Sequence, residues 1–243
     1  MTEWAVELQD VKKTYRSGPI EVPALRGISL RVAPGEFLAI AGPSGSGKTT
    51  LLNIIGGLDR ADAGEVWMEG KNLQILSPGE LARLRLRRLG FVFQAYNLLP
   101  VLTALENAEF TLLLQGVPAQ KRRERVQKLF LEIGLAGLED RRPAELSGGQ
   151  QQRVAVARAM VTEPALILAD EPTANLDSAT AAALLDVMEQ LNRATGTTFI
   201  FSTHDLQVME RAHRLIRLRD GQIASDEARD GQEARVTTGR NDV

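Results

Sequence analysis

Eight residues, Gly42-Pro43-Ser44-Gly45-Ser46-Gly47-Lys48-Thr49, have the types and spacing needed to hold a polyphosphate. The glycines let a backbone curl until its N–H groups converge on a phosphate. Lys48 then reaches the β- and γ-phosphates, and the Thr49 hydroxyl is a ligand for Mg²⁺. The apolar run Phe37-Leu38-Ala39-Ile40-Ala41 precedes the loop, and Thr50-Leu51-Leu52-Asn53-Ile54-Ile55 follows it as a helix. The positive end of that helix dipole adds to the anion site. A strand–loop–helix context of this kind reads as a nucleoside triphosphate site rather than an ordinary glycine turn.

Hydrolysis needs a metal ligand and a base. Leu166 to Ala169 is an apolar run ending in Asp170 and Glu171. An acidic residue at the tip of a strand beside a phosphate loop holds Mg²⁺, the role assigned to Asp170, and Glu171 is the candidate to orient and deprotonate water. Gln94 follows a predicted strand and is a candidate to touch the Mg²⁺ or the water. His204 follows another, at the strand end where α/β sheets bind ligands, and is a candidate donor to the γ-phosphate. Leu146-Ser147-Gly148-Gly149-Gln150 places a hydroxyl and glycine N–H groups at a predicted helix N-terminus, a second anion-binding device in one chain.

The elements that must position these groups follow from periodicity. Val6 and Leu8 alternate with Glu7 and Gln9, predicting a half-exposed strand over Ala5–Tyr15. A turn at Ser17-Gly18-Pro19 and a strand from Val22 to Val32, broken at Gly27, come next. With Glu65–Met68 these predict a small antiparallel sheet. Ser77 and Glu80 form a capping-box signature for a helix to Arg88, followed by a strand over Leu89–Phe93. Helices are predicted over Ala104–Leu114, over Pro118–Ile133 with Val126, Leu129, Phe130 and Ile133 on one stripe, and from Gln150 through Val161. Leu166–Ala169 reads as a central parallel strand. A helix over Ala179–Ala194 and strands over Thr198–Phe201, Leu215–Leu218 and Gln222–Ala224 complete the core. From Asp226 to Val243 the chain loses periodicity and reads as a polar flexible tail.

Composition sets the class. The 243 residues carry a net charge of −2, which gives no global pull toward nucleic acid. Basic clusters at Arg83, Arg85, Arg87 and Arg88, and at Lys121, Arg122, Arg123 and Arg125, read as solvated helix faces. There is no cysteine, which excludes disulfides and thiolate metal sites. No stretch reaches the roughly 20 apolar residues needed to cross a bilayer, and no signal peptide is read at the start, so the expected location is cytoplasmic.

The set Gly42–Thr49, Gln94, Leu146–Gln150, Asp170-Glu171, Asn175-Leu176-Asp177 and His204 resembles the ATPase subunit of ATP-binding cassette (ABC) transporters. The resemblance runs from about residue 4 to 225. It implies an α/β phosphate-loop NTPase fold with a RecA-like parallel-sheet core, a small antiparallel β subdomain and an inserted α-helical subdomain over about 96–158. The domain is expected to fill residues 1–225. The signature of one subunit would close over ATP held by the phosphate loop of another. The partners implied are therefore a second copy of the chain and integral membrane permease subunits, with no nucleic acid, and the location is peripheral on the inner face of the cell membrane. Residue by residue, Tyr15 would stack on adenine, and Gly42, Pro43, Ser44, Gly45, Ser46, Gly47, Lys48, Thr49 and Thr50 would bind the ATP. Ser147, Gly148, Gly149 and Gln150 would face the partner's ATP, Ser147 and Gly149 on its γ-phosphate. Asp177 would link the two sites. Lys48, Gln94, Glu171 and His204 would carry catalysis, with Thr49, Gln94 and Asp170 on Mg²⁺ and Gln94 also coupling to a membrane subunit.

Gly56-Gly57-Leu58-Asp59, Phe91–Gln94, Asn97–Pro100, Pro172–Asp177 and Ser202–Asp205 are similar to the lipoprotein-releasing and macrolide-exporter branch, and are shared in part with the cell-division ATPase. Leu98, Leu99, Val101 and Leu102 are either helix core or an apolar patch for a membrane partner. The competing readings are a cell-division-type or soluble ABC ATPase that moves no solute, and a metabolic kinase. The soluble members of DNA repair, chromosome structure and translation carry long insertions or paired cassettes that this chain lacks, and a kinase has no use for Leu146–Gln150.

Overall fold

The computed structural model describes residues 4–18 and 20–229. The chain opens on two long antiparallel strands, β1 (Val6–Ser17) and β2 (Ile20–Val32). The break expected at Gly27 is a bulge: Val11 pairs with Ile28 and Lys12 with Arg26, leaving Gly27 as the extra residue. Next come β3 (Phe37–Ala41), buried at every position, and α1 (Lys48–Ile55), with the predicted phosphate loop between them. β4 (Ala63–Met68), β5 (Lys71–Asn72), α2 (Pro78–Arg88) and β6 (Leu89–Phe93) follow. The capping box of α2 forms as expected: Glu80 N–H donates to Ser77 Oγ at 3.3 Å and Ser77 N–H to Glu80 Oε2 at 2.8 Å. Three helices then come together, α3 (Ala104–Leu114), α4 (Ala119–Glu132) and α5 (Gly148–Met160). The remainder alternates as β7 (Leu166–Asp170), α6 (Ser178–Thr195), β8 (Thr198–Thr203), α7 (Leu206–Arg211), β9 (Arg214–Arg219) and β10 (Gln222–Ala228).

These strands form two sheets, and the fold is α/β. The antiparallel sheet has the order β2-β1-β4-β5, and the larger sheet the order β10-β9-β3-β8-β7-β6, parallel except for its β10 edge. A central strand covered on both faces is dominated by apolar residues, which is why Phe37–Ala41, Leu166–Ala169 and Phe199–Phe201 read as continuous runs. Successive side chains point to opposite faces. Phe37, Ala39 and Ala41 therefore join Ile167, Ala169, Phe199 and Phe201 in a core shared with α3, α4, α5 and α6. Leu38, Ile40, Leu166, Leu168 and Ile200 point the other way, into a core shared with α1, α2 and the antiparallel sheet. The α4 stripe of Val126, Leu129 and Phe130, with Ile133 beyond it, belongs to the first core, so the three-helix group and the sheet are packed as one.

The structure departs from expectation in three places. The segment between His204 and Leu215 carries a helix, α7; six residues with Val208 alone buried are too short to display a period. The tail does not begin at Asp226. Asp226, Glu227 and Ala228 are strand residues of β10, paired with Ile216, Leu215 and Arg214, and the Arg214 guanidinium holds Asp226 at 2.7 Å. The rest of the expected tail, 230–243, lies outside the described residues. Finally, 98–102 is not helix. Asn107, almost wholly buried, ties this irregular segment down by donating from Nδ2 to the carbonyls of Leu99 (3.1 Å), Leu102 (3.1 Å) and Thr103 (2.9 Å). Leu98 packs on the core, whereas Val101 is 75% exposed.

Candidate functional site

The loop between β3 and α1 needs glycine where the backbone is most crowded. Gly47 caps α1 with φ +101°, and a Cβ there would stand 2.5 Å from the Ala24 carbonyl oxygen. The first turn of α1 carries no acidic residue, so no side chain of the helix itself offsets its positive dipole end. Lys48 is largely buried and its Nζ donates to the Gly42 (2.8 Å) and Pro43 (3.1 Å) carbonyls, which holds the ammonium inside the curl of the loop. Ser46 is also buried, and its hydroxyl has no hydrogen-bond partner among the described residues.

Across the sheet, β8 lies between β3 and β7. Three strand tips therefore bring the predicted groups together. Asp170 ends β7, and its Oδ1 accepts from Thr49 Oγ1 at 3.3 Å. A hydroxyl and a carboxylate at that spacing suit Mg²⁺, which takes few protein ligands and completes its shell with phosphate oxygens and water. No group of three or more His, Asp or Glu able to hold a metal by itself occurs among the described residues. Glu171 sits just beyond the strand at φ +47°, a conformation rare for a residue with a side chain, and its N–H donates to the Ser202 carbonyl at 2.9 Å. Its carboxylate is 16% exposed and meets His204 Nδ1 at 2.7 Å, Thr203 Oγ1 at 3.3 Å and the His204 N–H at 3.4 Å. The His204 side chain is 71% exposed, and with Nδ1 engaged its Nε2 is the polar atom left for a ligand.

Tyr15 is near the end of β1 and 41% exposed. Its hydroxyl donates to Asp59 Oδ2 at 2.8 Å, and Lys13 Nζ, bonded to the same carboxylate at 2.9 Å, lies 5.3 Å from the ring centroid. Burial pushes the phenol up from its ordinary value, with Thr50 of α1 acting in the other direction. The Tyr15 hydroxyl is thereby tied to Asp59, in the segment that follows α1.

The other predicted residues form a second group. Ser147 caps α5, accepting from Gln150 N–H at 3.3 Å while Gln150 Oε1 accepts from Ser147 N–H at 2.9 Å. A Cβ on Gly149 would stand 2.3 Å from Thr180 Cγ2, so this turn lies against the start of α6. Asp177 caps α6 through the N–H groups of Ala179 (3.1 Å) and Thr180 (2.9 Å) and the Thr180 hydroxyl (2.6 Å), and the Thr180 bonds hold its carboxyl below the usual range. Gln94 is exposed, and its carbonyl accepts from Asn175 Nδ2 at 2.9 Å. Among the described residues no hydrogen bond joins Ser147–Gln150 to Gly42–Thr49.

Two residues that join these groups went unseen in the sequence. Gln152, fully buried on α5, donates to the Pro172 carbonyl at 2.7 Å and to that of Phe93 at 3.3 Å. Arg158 donates to the carbonyls of Asn97 (2.5 Å) and Tyr96 (2.9 Å), both at positive φ, and burial lowers its pKa. A polar residue in the middle of a buried helix face is the only sequence signal for either.

A phosphate loop separated by one strand from an Asp-Glu tip, with a histidine just past the end of the strand between, defines a phosphate-loop nucleotide hydrolase. The second glycine turn narrows the class. Residues 25–174 match the model of the ABC transporter family, and the chain belongs to it. It is an ABC-type ATPase, a nucleotide-binding and ATP-hydrolysing protein. A macrolide export ATP-binding/permease protein, MacB, of Syntrophobacter fumaroxidans is 50% identical over 234 residues, 96% of this chain but 33% of the relative. An uncharacterized ABC transporter ATP-binding protein of Thermotoga maritima is 48% identical over 92% of this chain and 95% of its own length. The chain therefore spans about a third of the MacB relative and nearly all of the second. Among solved structures, a dimer of the ATP-binding cassette MJ0796 in a post-hydrolysis state, bound to ADP and Pi, is similar with a TM-score of 0.86 and 42% identity, over 93% of this chain and 100% of that one.

Proposed function

We propose that the chain is the ATP-driven motor of a membrane exporter of the lipoprotein-releasing or macrolide-export kind, working as a dimer that encloses two Mg·ATP. The observation that carries the reading is the separation within one chain of the phosphate loop from the Ser147–Gln150 turn, two halves of a clamp that a second copy would complete. The existence of dimeric MJ0796 structures and the similarity to MacB support it.

In this reading Gly42–Gly47 backbone N–H groups and Lys48 bind the β- and γ-phosphates, Thr50 continues the cradle, and Tyr15 stacks on adenine. Thr49 and Asp170, together with Gln94, would hold Mg²⁺, which would neutralise charge on the phosphates. Glu171 takes the proton of a water aligned with the γ-phosphate, and His204 donates a hydrogen bond to a γ-phosphate oxygen. Ser147 and the N–H groups of Gly148, Gly149 and Gln150 contact the partner's γ-phosphate, and Asp177 reports one site to the other. Fixed charges and dipoles supply most of the rate, as phosphoryl transfer asks mainly for positioning and charge stabilisation. Residues 96–158 act as the helical subdomain and the chain to Ala228 as one domain. Val101 and Leu99, held out by Asn107, offer apolar surface to a membrane subunit. That subunit would keep the chain on the inner face of the membrane; no described helix is long and apolar enough to cross one.

Tyr15→Ala is expected to raise the KM for ATP about tenfold with little change in kcat, because base–aromatic stacking contributes about 1–3 kcal/mol and is the same in ground and transition states. Steady-state ATPase measurements across ATP concentrations check it. The transporter reading itself is tested by recovering the tagged chain from its own cells. Recovery with a polytopic membrane protein that alters its ATPase rate is the expected result. Recovery with nucleic acid and no membrane protein would overturn it.

A further inference from the structure

Glu171 and His204 are each followed by a residue whose side chain reaches across to the other's loop. Thr173, two residues after Glu171, is 2% exposed, and its Oγ1 donates to Asp205 Oδ2 at 2.7 Å. Asp205 follows His204; its Oδ1 caps α7 by accepting from Gln207 N–H at 2.9 Å. Its own N–H donates to Thr203 Oγ1 at 2.9 Å, and that hydroxyl donates to Glu171 Oε2 at 3.3 Å. The circuit from Glu171 through Thr203, Asp205 and Thr173 returns along the backbone to Glu171. Pro172, between Glu171 and Thr173, is gripped from the other side by Gln152 of α5.

We propose that Thr173 and Asp205 are a pair of positioning residues that lock the tip of β7 to the tip of β8 and so set where the Glu171 carboxylate and the His204 ring stand relative to one another. This rests on the reading of Glu171 and His204 as the hydrolytic pair. Among the described residues neither Thr173 nor Asp205 has a hydrogen bond to the phosphate loop, so their substitution is expected to leave nucleotide affinity nearly unchanged. Glu171 is held at a left-handed backbone position, which persists only where its surroundings enforce it. Freed from the brace, the carboxylate and ring drift from a 2.7 Å contact, and misplacement by about 1 Å at a reacting centre costs up to about a hundredfold in rate.

The test is steady-state ATPase on the full chain, with kcat expressed per chain competent to bind a fluorescent ATP analogue, so that misfolded material is not counted. Thr173→Val, which removes the hydroxyl and keeps the shape, is expected to lower kcat at least about tenfold with KM within about twofold. Thr173→Ser is expected to restore kcat to within about threefold of the unsubstituted chain. Asp205→Ser keeps a capping hydroxyl for α7 but is too short to reach Thr173, and is expected to match Thr173→Val; the double variant should be no slower than either single one. If Thr173→Val does not fold, Asp205→Ser decides the question. Unchanged kcat in the folded variants, or a Thr173→Ser protein as slow as Thr173→Val, would overturn the proposal. Glu171→Gln run alongside separates the two readings. If it is inactive while Thr173→Val is fully active, the brace fails and the hydrolytic pair stands; if Glu171→Gln is itself active, the pair fails.

Discussion

Glu171→Gln is expected to lower ATP turnover about a thousandfold while ATP still binds. A positioned general base contributes about 10²- to 10⁴-fold, and this change removes the base and little else. The amide keeps a carbonyl oxygen to accept from Thr203 and the His204 N–H, so the ring of bonds around residue 171 survives. Lys48 and the loop backbone, which hold the phosphates in this account, are untouched. The protein should then stall with ATP enclosed, and gel filtration with ATP should show a dimer that the unsubstituted chain forms only briefly. Turnover near that of the unsubstituted protein would remove Glu171 from the base role.

Lys48→Ala should act one step earlier and weaken ATP binding about a hundredfold. Hydrogen bonds to charged groups contribute about 1.5–3 kcal/mol each, and about 2.7 kcal/mol corresponds to a hundredfold in affinity. Lys48 Nζ already lies inside the loop, against the Gly42 and Pro43 carbonyls, so no rearrangement of the chain is needed to place its charge on the phosphates. Titration with a fluorescent ATP analogue reads the loss directly. An unaltered thermal unfolding profile without nucleotide would separate it from damage to the fold, and wild-type affinity would contradict the role.

The opposite orders of effect, turnover for Glu171 and affinity for Lys48, follow from what their positions share and do not share. Glu171 directly follows the buried parallel strand β7, and Lys48 opens α1 after the loop that leaves β3; both are legible because the chemistry demands particular types at fixed spacing. The glycines of Gly42–Gly47, the Asp-Glu at the end of an apolar run and the capping pattern of Ser147 with Gln150 are local, and local patterns survive in one dimension. The central strands were readable for a similar reason, since burial on both faces leaves no room for alternation in Phe37–Ala41 or Thr198–Thr203.

What stayed hidden depends on residues far apart in the chain. Nothing near Gln152 announces that its amide will bridge Phe93 and Pro172, and nothing near Arg158 predicts its bonds to Tyr96 and Asn97. Tyr15 is singled out only by resemblance; Asp59, which fixes its hydroxyl and also holds Lys13 of the same strand, lies 44 residues further along the chain. The end of β10 was misplaced because its strand residues, Asp226 and Glu227, are charged and resemble a solvated tail. They are held by pairing with β9 and by Arg214, a partner that the local sequence does not show.

The dimeric clamp is tested most directly by ATPase rate per chain as the protein is diluted with ATP and Mg²⁺ saturating. If each ATP is cleaved only between two copies, the rate per chain must fall once the concentration drops below the dimer affinity, in proportion to concentration at the dilute end. A rate per chain that stays constant across that range would mean that a single copy completes its own site, contrary to this account.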